Sequence, residues 1–304
     1  ARGLADQRVL PALLGIAGMG LLGAVGLGRA YRSTLRFYTG NPSGKARKVS
    51  PAAPSHHTAD RTVFVERHLP GLPEEAQALA LTVSQSIFRA PEVKMSLGVS
   101  GIAFIAMALV IGLRASVSVP DVARPLLATG IVGITFMSLS QLLTNQFGFD
   151  RDGFRSLVLL PTPRPWIVLG RNLALLPFAE GFFLLMLVLA LVLLRLPLLA
   201  AVAAQIQFIG AFALLSLVGT LTSILLPYRI PAGTLRPAKT SALTMLCTVF
   251  IHLSVPLFTL PFMAPVALGM LSEHLEWLPA GAVNIALSLV LSTVSVTAYA
   301  LLLE

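Results

Sequence analysis

Apolar residues in this chain come in long blocks, and charged residues fall between them. Uncharged windows occupy 9–28, 95–113, 125–149, 196–228, 240–272 and 277–303, and a further window, 172–194, is broken by Glu180 alone. Crossing a hydrocarbon core about 30 Å thick takes about 20 helical residues at about 1.5 Å rise. Each window meets that length, so the pattern predicts seven spanning segments: one over 9–28, then spans near 95–113, 125–148, 176–195, 198–226, 241–258 and 279–303. The window 240–272 holds Pro256, Pro261 and Pro265, too many for one straight helix. It reads as a span over 241–258 followed by a short re-entrant or interfacial piece near 262–272, with Pro279 opening the last span.

Between the first two windows lies a polar stretch, 29–94. Its first half is basic and then rich in Pro, Ser and His (Ser50 to Thr58), the composition of a linker. Its second half changes character. Pro73, Glu74 and Glu75 form a helix start, Ala76, Leu79, Ala80, Val83 and Ile87 follow at helical spacing, and Pro91 stops the run. This predicts an amphipathic elbow helix over 73–90 lying in the cytoplasmic interface, with Arg89 and Lys94 at its membrane end. In the first window Gly20, Ala24 and Gly28 recur every fourth residue, a spacing that admits a close helix neighbour.

Composition agrees with lipid as the solvent. Of the 304 residues 56% are hydrophobic and 12% charged, and the mean hydropathy is +0.83. A soluble domain carries about a quarter charged residues, so an ordinary soluble enzyme and a disordered chain are both excluded. Cys247 is the single cysteine, which excludes a disulfide framework or a cysteine zinc site within one chain. The net charge of +9 would suggest nucleic acid in a soluble protein. Here the basic residues mark the loops instead. Seventeen of the 22 Lys and Arg fall in the segments 29–94, 151–171 and 229–239. Positive loops stay on the cytoplasmic side, which orients the chain with its N-terminus out and its C-terminus in, as a multi-pass protein of the cytoplasmic membrane without a nucleic-acid partner.

Three motifs are discounted. Gly40 to Lys45 resembles a phosphate loop, but its glycines are one residue too close and Ala46 replaces the Ser or Thr. His56, His57 and His68 lack helical pairing or a carboxylate cluster and read as solvated linker histidines rather than a metal site. Asp150-Arg-Asp152 echoes the pair of aspartates with which transferases hold a metal and a diphosphate, and a membrane-embedded, metal-dependent transferase stays open as an alternative, as does a structural subunit of a membrane complex.

The stretch 148–175 is the richest in side-chain chemistry. Phe149-Asp150-Arg151-Asp152-Gly153-Phe154-Arg155 is followed by Pro161-Thr-Pro163-Arg164 and by Arg171-Asn172 before Pro177. That is four arginines, two aspartates and two aromatics, more than a connector needs. Together with the Arg89-Ala-Pro-Glu-Val-Lys94 elbow and the later Pro227-Tyr-Arg-Ile-Pro segment, this stretch resembles the permease subunit of bacterial ABC-2 type exporters. The resemblance covers about 72–304 and implies a six-span domain with a cytoplasmic elbow helix. It also implies a broken fifth span and a second permease half, either a homodimer partner or a fused or paired half. The family carries no catalytic residue or cofactor in this subunit, ATP and Mg being held by separate cytoplasmic ATPase subunits. By the resemblance Phe149, Asp150, Arg151, Asp152, Phe154, Arg155 and Arg164 form the ATPase-coupling element, and Arg89 and Lys94 the elbow interface. The span at 9–28 is outside the six-span plan. Followed by a linker, it has the form of the last span of a preceding half, an accessory anchor being the other reading.

Polar residues within the spans are Thr135, Ser138, Gln141, Glu180, Gln205, Gln207, His252 and Asn284. Ionisable and amide groups inside a membrane face protein or water. Gln141, Glu180 and His252 are therefore the candidates for lining a pathway.

Overall fold

A computed structural model describes residues 13, 18, 20, 23–28, 31–32, 70–113, 120–149, 157, 159–228, 230 and 242–303. It divides into two compact units, Ala1–Arg61 and Thr62–Glu304. In the first unit the described residues are helical. Most of the predicted span 9–28 and linker 29–72, including the Gly40–Lys45 loop and the three linker histidines, lies outside the described residues.

Helix is the only regular secondary structure among the described residues of the second unit. In chain order it contains α1 (Glu74–Arg89), α2 (Pro91–Leu113), α3 (Ala123–Thr144), α4 (Arg164–Leu194) and α5 (Leu198–Leu225). Then come α6 (Ala242–Thr259), a 3-10 turn (Leu260–Met263), α7 (Ala264–His274) and α8 (Ala280–Leu303). Five runs are long and apolar enough to cross a membrane, with α6, the turn and α7 counted as one, and α1 with α2 supplies a sixth when that bent pair is taken as a span. By helix length and hydropathy this is a multi-pass membrane protein.

Local chemistry sets the element ends. Pro73 (φ −59°, ψ 141°) precedes α1, Glu74 and Glu75 occupy its first turn and Arg89 its last, each charge placed to favour the helix dipole. Ala90 is extended (ψ 117°) because the ring of Pro91 disfavours helical backbone before it. The chain therefore bends by 66° between α1 and α2. α4 ends at Arg195, which takes the left-handed conformation (φ 52°). Proline heads the 3-10 turn and α7, while Pro256 lies inside α6, and the run from Ala242 to His274 stays helical through all three.

Two differences from the sequence reading stand out. The third span of the six-span plan, expected from about 176, starts at Arg164 and runs 31 residues through Pro177. At about 1.5 Å per residue it is about 46 Å long, well beyond a hydrocarbon core. Pro177 costs one backbone hydrogen bond, which so long a helix tolerates. Stretch 164–175 is thus helix, and Arg171, counted above among loop arginines, is buried at 4% exposure.

The second difference concerns α1. Its buried face, Ala76, Gln77, Ala80, Leu81 and Ser84, is covered by protein. The start of α4 supplies that cover. A Cβ on Gly170 would lie 2.7 Å from the Ala76 carbonyl oxygen, Ser84 Oγ donates to the Ala174 carbonyl (3.2 Å), and the rings of Phe88 and Phe178 are 4.3 Å apart. Alanine and glycine let two helix backbones approach closely, so the small residues of α1 make a helix-packing seam.

α3, α4 and α5 form the centre. Phe208 of α5 stacks on Phe136 of α3 (5.2 Å) and Phe183 of α4 (4.7 Å). Near one end, Gln207 gathers three helices. Thr129 Oγ1 donates to its Oε1 (2.7 Å), and its Nε2 donates to Ser288 Oγ (2.9 Å) and Asn284 Oδ1 (3.3 Å) of α8. Buried amides surrounded by lipid-facing helices must be satisfied internally, and this knot fixes the register of α3, α5 and α8.

Candidate functional site

The opposite end of the bundle carries a second and larger polar network, built around the turn 145–149 that follows α3. Asn145 is fully buried. Its Nδ2 donates to the Tyr228 carbonyl (2.8 Å), and its Oδ1 accepts from the Tyr228 N–H (3.1 Å). Gln146 Nε2 donates to Asn172 Oδ1 (2.8 Å), and Asn172 Nδ2 donates to the Tyr299 hydroxyl (2.8 Å) and Thr220 Oγ1 (3.3 Å). The Phe147 N–H donates to Ser223 Oγ (2.9 Å). Arg171 donates from Nη2 to the Gln146 carbonyl and lies over the Phe147 ring, 4.6 Å from its centre, a cation–π contact strengthened by exclusion of water. One turn of five residues is thus tied to α4, α5, α8 and the segment after α5.

Beside this network a cleft of about 330 Å³ opens between α3, Tyr228 and α6. Thr244, Thr248 and His252 line it at four-residue intervals, one stripe along α6, with Met245, Val249 and Leu253 on the adjacent stripe. Gln141 and Tyr228 face them. Much of the polar lining is engaged internally. Thr248 Oγ1 donates to the Thr244 carbonyl (2.7 Å), His252 Nδ1 bonds the Thr248 carbonyl (2.7 Å), and Gln141 hydrogen-bonds the Tyr228 hydroxyl. A carbonyl only accepts, so Nδ1 carries the proton of this bond. Burial pushes the Tyr228 hydroxyl up to about 12, with the Gln141 bond opposing it. At neutral pH the Tyr228 hydroxyl is therefore uncharged.

The structure brings two of the three pathway candidates together: Gln141 and His252 share the cleft. Glu180 is elsewhere, on α4, where its Oε1 accepts from Gln205 Nε2 (2.7 Å). Of the coupling residues, Phe149 is half-buried against the core, and Arg164 is exposed at the first position of α4. Asp150, Arg151, Asp152, Phe154 and Arg155 lie outside the described residues. Arg89 and Lys94 are exposed on either side of the α1–α2 bend. Among the described residues no three of His, Cys, Asp and Glu come together as a metal site.

Sequence reasoning passed over Tyr299 and gave no role to Asn145, Asn172 or Tyr228. Each is a single polar residue in or beside an apolar run, and their partners lie 48 to 127 residues away except for the Gln146–Asn172 pair at 26. The available signal was chemical: an amide inside a span needs a partner. No family model, curated protein or solved structure matched this chain.

Proposed function

We propose that this chain is the membrane-spanning permease subunit of an ATP-driven exporter with the ABC-2 layout, placed in a bacterial cytoplasmic membrane with its C-terminus inside. The observation that carries the reading is the order of irregular elements. An elbow helix bends by 66° into a first apolar helix, and a fifth apolar run breaks at a 3-10 turn and continues as α7 before the last helix. A bundle built only for anchorage needs neither break. The turn 145–149, tied to several elements, leads directly into the Asp150–Arg155 segment, which suits a lever pushed by an outside partner. That partner is a cytoplasmic ABC ATPase holding ATP and Mg, and a second permease half completes the pathway. The α3–α6 cleft, with Gln141 and His252, is the part of the pathway this half contributes.

The test is co-purification followed by reconstitution with the captured ATPase. Phe154→Ala or Arg155→Glu is expected to weaken ATPase binding or to uncouple hydrolysis from transport. Loss of one aromatic anchor costs about 2 kcal/mol or more at an interface, about a thirtyfold drop in affinity. A chain that captures no ATPase, or two variants with wild-type binding and stimulation, would overturn the exporter assignment. Metal-dependent group transfer by the isolated chain would favour a transferase that uses Asp150 and Asp152.

A further inference from the structure

Tyr228 belongs to two structures at once. It lies three residues beyond the end of α5, where no helix serves its backbone, and both its N–H and its carbonyl are paired by the single side chain of Asn145. Its hydroxyl meets Gln141, and the residue lines the cleft. The backbone of Tyr228 is therefore held by the turn after α3, while its side chain helps shape the space between α3 and α6. Gly148 closes the same joint from the other side. A Cβ there would overlap the Tyr228 carbonyl oxygen and the Asn145 amide, so only glycine lets the turn sit this tightly.

The joint moves as one piece more easily than it breaks. Releasing Tyr228 from Asn145 would leave two buried backbone groups and a buried amide without partners, the costly kind of loss. If the turn shifts, Tyr228 follows. The turn's remaining ties, Gln146 to Asn172 and Arg171 to the Gln146 carbonyl on α4 and Phe147 N–H to Ser223 on α5, make it move with the ends of those two helices.

We propose that Tyr228 is the movable end-wall of the α3–α6 cleft and that Asn145 is its positioning residue, so that displacement of the turn 145–149 changes access to the cleft. The Asn145–Tyr228 linkage stands on this geometry alone. Only the source of the displacement, a force delivered through residues 150–155, rests on the exporter reading.

The experiment reads cleft access directly. In a Cys247→Ser background, Val249→Cys places a thiol on the cleft wall, and its rate of modification by a charged, water-soluble methanethiosulfonate is measured in lipid nanodiscs. Asn145→Ala is expected to raise that rate about tenfold or more. Asn145→Asp, which keeps the acceptor and loses the donor, gives an intermediate rate. Gly148→Ala, whose Cβ displaces both the Tyr228 carbonyl and the Asn145 amide that holds it, raises the rate as well. Gln207→Ala loosens the knot at the far end of the bundle and is expected to leave the rate at 249 unchanged. The proposal is overturned if Asn145→Ala and Gly148→Ala both modify at the parent rate, or if Gln207→Ala raises the rate equally. A second arm adds the captured ATPase and nucleotide. A variant-sensitive cleft that ignores nucleotide keeps the linkage and removes the exporter reading. A coupled ATPase beside a cleft insensitive to Asn145 does the reverse.

Discussion

Asn172 of α4 donates from Nδ2 to the hydroxyl of Tyr299 on α8 at 2.8 Å, joining residues 127 positions apart. The same amide oxygen accepts from Gln146 Nε2, so one buried side chain ties the turn after α3 to the last helix. Removing it strands three partners, Gln146, Tyr299 and Thr220, whereas removing the Tyr299 hydroxyl strands one. Asn172→Ala is expected to destabilise the chain by about 1–3 kcal/mol and Tyr299→Phe by about 1 kcal/mol. The double variant should cost less than the sum, because both changes delete the same bond. Denaturation in detergent micelles, run as a double-mutant cycle, checks this; strict additivity would show that the bond contributes nothing.

Close approach of α5 and α8 rests on Gly210. An added Cβ would lie 2.6 Å from Ser292 Oγ, 2.7 Å from Ser292 Cα and 2.9 Å from the Phe262 ring, so the neighbours that must give way include backbone. Gly210→Ala is expected to cost about 1–3 kcal/mol through overpacking. Gly181→Ala meets nothing within 4 Å and, as a helix-interior glycine, should stabilise by up to about 1 kcal/mol. Comparing the melting temperatures of the two variants separates a packing contact from a general intolerance of glycine replacement.

Hydropathy carried the class of fold, because windows such as 198–226 and 279–303 are uncharged and predominantly apolar and end at charges or prolines. The start of α4 was hidden for a physical reason. Arg164, Arg171 and Asn172, spaced among Pro161, Pro163 and Pro177, have the composition of a loop, yet Arg171 and Asn172 are buried by contacts with Gln146, Thr220 and Tyr299. Polar residues satisfied only by distant partners look, in one dimension, like residues satisfied by water. The cleft was half legible: an intramembrane rule picks out Gln141 and His252, but nothing local says that Glu180 turns to Gln205 instead.

Tyr228 predicts an alkaline limit to stability. Its hydroxyl is pushed up to about 12 in the folded chain against an ordinary value of 10, so between these pH values the folded state keeps a proton that the unfolded state releases. Stability is therefore full below about pH 10 and falls as pH rises through 12, by about 3 kcal/mol at most. Tyr228→Phe should remove this part of the alkaline loss. Gln141→Leu should push the titration higher still, since the Gln141 bond favours the ionised form. Tyrosinate absorbance followed against pH in the parent chain and both variants decides it; a Tyr228 component titrating near 10 would contradict the burial argument.

The elbow offers the clearest separation of protein packing from lipid packing. If α1 were held by the membrane surface, changes on α4 would leave it in place. In the structure its small-residue face is spent on α4: Gly170 meets the Ala76 carbonyl oxygen and the Leu79 Cβ, and Ser84 donates to the Ala174 carbonyl. Gly170→Val puts a branched side chain where even one Cβ would stand 2.7 Å from backbone, and α1 must move away. Helix α1 has 16 residues, and isolated helices near this length are marginal in water. Gly170→Val is therefore expected to raise backbone hydrogen exchange across 74–89 by about tenfold or more, with exchange in α5 and α8 unchanged. Ala76→Gly, which keeps the seam narrow, should have a much smaller effect, limited to the helix propensity of one residue at about 1 kcal/mol. Measured in nanodiscs, protection of 74–89 that survives Gly170→Val would mean that lipid, not α4, holds the elbow, and that the contacts at Ala76 and Ser84 are incidental to it.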